Sequence, residues 1–238
     1  MGKYLKKFDT TSQYNAYTAD TANFIKPNVS YTVDNNMVHY NPWVETMVVA
    51  KYNVTESTMT QQIMGYRQTG MSSSAVTTAF TSVYVDGNEI EISDVNVNYT
   101  FDTVGEHTVK YELKDPATTI YMDAFNGHYN GNNMGVKAVS ITIPDSVTTI
   151  VGNAFERCSG LTSCTIGSGV TSIGNGAFYC GTNLSEITSL RTTAITLPTS
   201  GQPVFYVASS GILKVPTGST GYDAWLTLLG SGWSIQYI

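Results

Sequence analysis

The sequence predicts a mainly β protein in three parts. These are an extended N-terminal segment over residues 1–42, a small β-sandwich over 43–114, and a repeat solenoid with a short helical cap over 115–238. Three observations point there. A set of apolar positions recurs every 23 residues in the C-terminal half. The middle third alternates apolar and polar residues, the period of a half-buried strand. Only 13% of the 238 residues are charged, against about 25% in an average soluble protein. Thr, Ser, Asn and Gly carry the polarity instead, and they suit strands and turns better than helices.

The repeat is the strongest of these signals. Ile143 and Ile166, Val147 and Val170, Ile150 and Ile173, Ala154 and Ala177, Phe155 and Phe178, and Leu161 and Leu184 are all 23 positions apart. An upstream copy is readable at an offset of 30 in Leu113, Ala117, Ile120, Ala124 and Phe125, with the added residues assigned to a Gly/Asn-rich loop insertion at 126–136. Downstream, Leu213 and Val215 repeat Ile141 and Ile143 at an offset of 72, three further turns on, and the turn between, through Ile187, Leu190 and Val207, is degenerate. A strand over Ser140–Ile143 points Ile141 and Ile143 inward and Ser140 and Thr142 outward. Pro144 ends it, Gly/Asn pairs around Gly152 and Asn175 turn the chain, and Ala-Phe packs from the convex side. One such turn cannot bury its own apolar face, so neighbours must stack and the ends need caps. Ser219 is the expected N-cap of a helix over 221–229, with Gly230 as its C′ residue. Trp225, Leu226 and Leu229 would cover the last turn, and Trp233–Ile238 would add a strand that closes the edge.

These residues carry a resemblance. Ala154-Phe155, Gly169-Val-Thr-Ser-Ile-Gly174 and the terminal Lys214–Trp225 stretch resemble the BspA-type leucine-rich repeat, over about residues 105–238. That family occurs in surface and secreted proteins of gut and oral bacteria and in viruses of such bacteria. The resemblance implies a solenoid used for interaction, with no catalytic residues to carry over.

In the middle part, strands are expected at 47–54, 80–85, 89–93, 97–101 and 107–113, with Asp86-Gly87-Asn88 as a hairpin turn. The segment Tyr99–Val109 is similar to the last hairpin of bacterial immunoglobulin-like modules. That likeness implies an immunoglobulin-like β-sandwich that hands its last strand to the solenoid.

The first part reads differently. Tyr4, Phe8, Tyr14, Tyr17, Phe24, Tyr31, Tyr40 and Trp43 stand in an Asn/Thr/Asp-rich background without periodicity. Aromatics without a core of their own suggest a segment ordered by a partner, since such side chains carry interface energy. Tyr4, Phe8, Tyr14, Phe24, Tyr31, Tyr40 and Trp43 are the expected partner anchors. Lys26–Tyr31 and Val38–Pro42 resemble the leader of structural proteins of crAss-like gut phages, where it precedes fibre or repeat modules.

Composition excludes several functions. A net charge of −6, with one short basic cluster at Lys3, Lys6 and Lys7, gives no basis for nucleic-acid binding. No run of about 18 apolar residues suggests membrane insertion. Nor does the polar stretch after Met1–Phe8 resemble a secretory signal. Three cysteines, Cys158, Cys164 and Cys180, with no close pair, argue against a disulfide framework or zinc site and for buried free thiols. His39, His107 and His128 are isolated, and Glu89 and Glu91 read more simply as a solvated strand edge than as a catalytic pair. No nucleotide, nucleophile or metalloprotease motif is present. The expectation is a non-enzyme without cofactors.

Two recognition surfaces remain. One is the outward face of the solenoid strands, with Ser140, Thr142, Ser163, Thr165, Glu186, Thr188 and Lys214. The other is the 126–136 loop with His128 and Tyr129. Together these readings lead to a phage virion component, a head fibre or tail-associated protein. Its N-terminus would hold capsid or other virion proteins, its repeats would face a host-surface glycan or protein, and it would be a homo-oligomer. The alternative is a secreted or surface-attached bacterial adhesin. A capsule-degrading fibre would require paired carboxylates in a groove.

Overall fold

The protein, seen as a computed structural model, is described at residues 31–34, 37–40, 47–64, 80–92, 97–113, 119–120, 125 and 138–238. The chain divides into two compact units, 1–45 and 46–238. In the first, β1 (Tyr31–Asp34) and β2 (Met37–Tyr40) pair antiparallel, with Tyr31 opposite Tyr40.

The second unit begins with strands whose alternation sets their faces. In β3 (Met47–Val54), Val48, Ala50, Tyr52 and Val54 are buried while Lys51 and Asn53 are exposed. After β4 (Met59–Met64) come β5 (Phe80–Val85) and β6 (Asn88–Ile90). A two-residue turn joins these last two, with both Asp86 and Gly87 at positive φ (50° and 87°). That geometry matches strand twist, and Asp-Gly tolerates it best. β7 (Val97–Phe101) and β8 (Gly105–Leu113) follow. β3, β8, β5 and β6 lie side by side, and β4 pairs with β7 in a separate ribbon. Two buried tyrosines tie the layers together. The Tyr111 hydroxyl donates to the Ile63 carbonyl at 2.5 Å and lies 3.1 Å from the Tyr52 hydroxyl. Burial pushes both phenols above their ordinary pKa, so they stay neutral donors.

The solenoid follows. Its elements are β9 (Thr119–Ile120), β10 (Ala138–Ile143), β11 (Thr149–Ile150), β12 (Ser163–Ile166), β13 (Ser172–Ile173), β14 (Phe178–Tyr179), β15 (Glu186–Ser189), β16 (Phe205–Tyr206), β17 (Ser210–Val215), α1 (Asp223–Leu229) and β18 (Gly232–Tyr237). β10, β12, β15, β17 and β18 run parallel in register, placing Ile141, Cys164, Ile187, Leu213 and Ile235 in one row. A second parallel ladder, β9–β11–β13, aligns Ile120, Ile150 and Ile173. On the convex side Phe125, Phe155, Phe178 and Phe205 form a stacked column, with centroids 5.1, 5.1 and 5.5 Å apart. Trp225 of α1 tilts against Phe205 and is itself 1% exposed, which caps the column. Cys158, Cys164 and Cys180 are buried free thiols, as the sequence suggested.

Four expectations change. β3 pairs antiparallel with β10, so the first strand of the middle part adjoins the solenoid, not the last. Among the described residues, nine strands thereby form a single sheet in the order β18-β17-β15-β12-β10-β3-β8-β5-β6. Secondly, β7 and β8 do not make the hairpin that the immunoglobulin likeness implies, because β7 pairs with β4 while β8 pairs with β3 and β5. The upstream repeat is also only half built. Ile120 and Phe125 stack on the next turn, whereas Leu113 pairs with Phe80. Lastly, Ser219 does not cap α1, whose N-cap is Tyr222 without a side-chain hydrogen bond. The Ser219 hydroxyl is held by the Pro216 carbonyl at 2.6 Å, inside the preceding turn.

Candidate interaction surface

The residues singled out on the solenoid strands fall into two straight rows. Ser140, Ser163 and Glu186 occupy neighbouring positions on β10, β12 and β15; Thr142, Thr165, Thr188 and Lys214 do the same one step along and reach β17. Within a strand, i and i+2 share a face, so both rows lie on the side opposite Ile141 and Ile143. Strand spacing of about 4.8 Å and a two-residue rise of about 6.6 Å make this a regular lattice of hydroxyls.

The face extends beyond the repeats. Ser140 lies opposite Lys51 and Thr142 opposite Val49 on β3, and those in turn face Thr108 and Lys110 on β8. At the other end the rows continue into Ile212 and then Ser234 and Gln236 of β18. Strand alternation in 47–54 and 107–113 was legible, but nothing local to those segments says that they join this face. Thr188, at 9% exposure, contributes less contact area than its neighbours.

Two ion pairs neutralise charges along the lattice: Lys214 Nζ–Glu186 Oε2 at 2.7 Å and Lys51 Nζ–Glu106 Oε1 at 2.6 Å. Lys51 and Lys214 are thus each spent on a neighbour, and the rows on β10 and β12 between them offer hydroxyl donors and acceptors more than net charge. Glu89 ends the Thr142 row, which runs on from Lys110 through Tyr84 to the edge strand β6; it is exposed and accepts from the Ser82 hydroxyl at 2.8 Å, and Glu91, just beyond the strand, is exposed as well.

A feature missed in the sequence lies on the convex side. Tyr179 and Tyr206, each one residue past a column phenylalanine, stack at 4.8 Å and 22°, and Tyr206 is exposed. The signal was the shared offset from Phe178 and Phe205, hidden by the long turn between them.

His107 is packed beneath the Asp86-Gly87 turn. Its Nδ1 lies 2.6 Å from Asp86 Oδ2, and its Nε2 lies 3.0 Å from the Thr103 carbonyl. Acceptors on both nitrogens favour the imidazolium. The Asp86 hydrogen bond raises the histidine pKa against the opposing effect of burial. Burial works the other way on Asp86, but the bonds from His107 and the Thr108 N–H outweigh it and lower that carboxyl.

Of the aromatic anchors, Tyr31 and Tyr40 are cross-strand partners at the ends of β1 and β2. Tyr4, Phe8, Tyr14, Phe24 and Trp43 lie outside the described residues, as do His128 and Tyr129. Among the described residues no helix is long and apolar enough to cross a membrane.

A family model described as the BspA type leucine-rich repeat region matches residues 97–217 in six copies, just over half of the chain. No curated protein and no solved structure matches.

Proposed function

The chain belongs to the BspA-type leucine-rich-repeat family, and from that premise we propose that it is a non-catalytic attachment protein. In this reading the sheet face around Ser140, Thr142, Ser163 and Thr165 is its contact surface. The observation that carries the proposal is the unbroken register of those hydroxyl rows across parallel strands, extended by β3 and β8 into one broad face. A lattice whose central strands carry mostly hydroxyls suits a surface glycan or a protein strand.

The finer form of the proposal places this protein on a phage particle. Residues 1–42 would hold it to the capsid or another virion protein, and unit 46–238 would be presented to the host. The aromatic content of the first segment and its likeness to crAss-like phage leaders support this form, as does the division of the chain at residue 45. Family membership alone supports a second form, a surface-attached or secreted bacterial adhesin.

Two measurements test the proposal. Arginines at Ser163 and Thr165 would block the centre of the face; binding to host-envelope preparations should fall at least tenfold with the melting temperature unchanged. Undiminished binding would remove the face from consideration. Deleting residues 1–42 should abolish incorporation into particles, and normal incorporation would leave the adhesin form standing.

A further inference from the structure

The nine-stranded sheet ends differently on its two sides. At one end, β6 is only three residues long, and Glu89 and Glu91 stand at or beside it. Short length and charge are the usual guards against strand-to-strand association. At the other end, β18 is six residues long and reads Gly-Trp-Ser-Ile-Gln-Tyr, without charge, proline or bulge. The sequence suggested that 233–238 would close the sheet edge. Adding a strand only moves an edge outward, and among the described residues no strand pairs with the outer side of β18.

Its hydrogen bonds show which groups are uncommitted. The Ile238 N–H donates to the Val215 carbonyl and the Thr217 N–H donates to the Ile238 carbonyl, at 2.9 and 3.0 Å. In a parallel pair, alternate residues turn their N–H and C=O toward the same neighbour. The even positions of β18 therefore face β17, and Trp233, Ile235 and Tyr237 turn theirs away from it. The Trp233 N–H is already used by the Gly230 carbonyl at 3.1 Å. Among the described residues, what remains is a donor at Ile235, a donor at Tyr237, and acceptors at Trp233, Ile235 and Tyr237.

We propose that this edge pairs with the same edge of a second copy, β18 against β18 antiparallel about a two-fold axis through Ile235. In that register Ile235 exchanges both bonds with its counterpart, and the Tyr237 N–H meets the Trp233 carbonyl of the other copy. The one donor lost to Gly230 is the one that costs the arrangement least, since it would have met only the terminal Tyr237 carbonyl. On the outer face Ser234 comes opposite Gln236, so no like charges meet. Tyr237 and Ile238, 58% and 55% exposed, gain a covering surface. The partner is a second copy because the uncommitted donors and acceptors complement themselves in this register and the strip is electrically neutral. The hydroxyl faces of the two copies would join into one sheet. One strand per copy is a small contact of the reversible class, and display of many copies on a particle would strengthen it through effective concentration. The inference is independent of which surface the protein attaches to.

Sedimentation of the full chain across a concentration series tests it. The wild type should show a reversible doubling of mass that Tyr237→Pro abolishes. That substitution removes an outward N–H and no bond to β17, so the melting temperature should be unchanged. Ser234→Lys/Gln236→Lys should also abolish the doubling by placing cations opposite one another. Mixing it with Ser234→Glu/Gln236→Glu should restore the doubling. A wild type whose mass does not depend on concentration would overturn the proposal. So would a doubling that survives both the proline and the lysine variants, or association of the lysine variant with an unrelated strand-bearing protein in place of its glutamate counterpart.

Discussion

Phe125 and Phe155 lie face to face, their rings 5.1 Å apart and 6° from parallel, although the last long strand before Phe125 has no place in the parallel ladder that starts at β10. That strand, β8, is separated from β10 by β3. The aromatic column therefore starts one turn before the β10–β12–β15–β17–β18 ladder, in step with β9 of the second ladder. Phe80 and Tyr111 meet Phe125 edge-on, at 77° and 78°, so two residues of the antiparallel part cap one end of the column as Trp225 caps the other. Continuity between the two halves of unit 46–238 runs through this column as well as through the β3–β10 pairing.

Phe155 sits in the middle of the column with no exposed surface. Phe155→Ala would leave a cavity between two rings held by their own backbone ladders, which cannot collapse freely. The expected loss is about 3–5 kcal/mol, read as a shift of the urea midpoint at unchanged slope. Tyr206→Ala, on the exposed pair, should cost under about 1 kcal/mol. Equal losses at the two sites would contradict the column as the principal convex-side support.

What the sequence made legible follows from how local each cause is. The 23-residue period was readable because Ile143 and Ile166, or Phe155 and Phe178, occupy identical environments in successive turns. Asp86-Gly87 was readable because two consecutive positive-φ residues are a backbone requirement. The partner of β3 was not readable, since alternation in 47–54 announces a strand without naming its neighbour, and Lys51 meets Ser140 across 89 positions. Leu113 shows the same limit: it keeps the repeat spacing, and the family match begins upstream of it, yet it packs in an antiparallel strand. Ser219 had the right chemistry for a cap, but the carbonyl of Pro216 was nearer. The hydroxyl rows at Ser140 and Thr142 were legible from period-two alternation, while their extension to Lys51, Thr108 and Lys110 depended on that same unreadable pairing.

Gly169 lies against the preceding turn at Asp145 with no room for a side chain. A Cβ there would overlap the Asp145 carbonyl, which is backbone and cannot swing aside. Gly169→Ala should destabilise the solenoid by about 1–3 kcal/mol, the usual range for overpacking. Gly218→Ala provides the contrast of strain without overlap: its added Cβ meets nothing within 4 Å, and its φ of 81° alone disfavours alanine. Comparing the two melting temperatures separates crowding from backbone strain. A Gly169→Ala variant as stable as the wild type would mean the turns can move apart.

The three thiols should be inert in the folded protein. Burial pushes Cys158 up to about 12 and raises Cys164 and Cys180 as well, and only thiolates react at useful rates. The Cys158 Sγ also donates to the Phe125 carbonyl at 2.9 Å, fastening one turn to the one before it. An aromatic disulfide reagent at about pH 8 should label none of them natively and all three in denaturant. Rapid labelling of Cys158 in native protein would show that the Phe125 turn opens.

The His107–Asp86 pair sets a pH dependence whose sign can be worked out. The histidine pKa is raised above 6.5 on folding, so its contribution is fully present below about 6.5 and is lost as pH climbs through the raised value. The aspartate pKa is lowered below 3.8, so its contribution is present above about 3.8 and lost as pH falls through the lowered value. The pair therefore supports the Asp86-Gly87 turn most strongly between about pH 4 and 6.5. His107→Gln keeps a donor toward Asp86 and removes the charge. Its urea midpoint should lie furthest below the wild type near pH 5.5, and the gap should narrow steadily toward pH 9 as the wild-type imidazolium deprotonates. Asp86→Asn should also flatten the wild-type decline above neutrality, because the carboxylate is what holds that proton on the ring. Wild-type and variant profiles that run parallel from pH 5 to 9 would mean that the ring takes up its proton equally readily folded and unfolded, so that the 2.6 Å contact to Asp86 does not hold the charge.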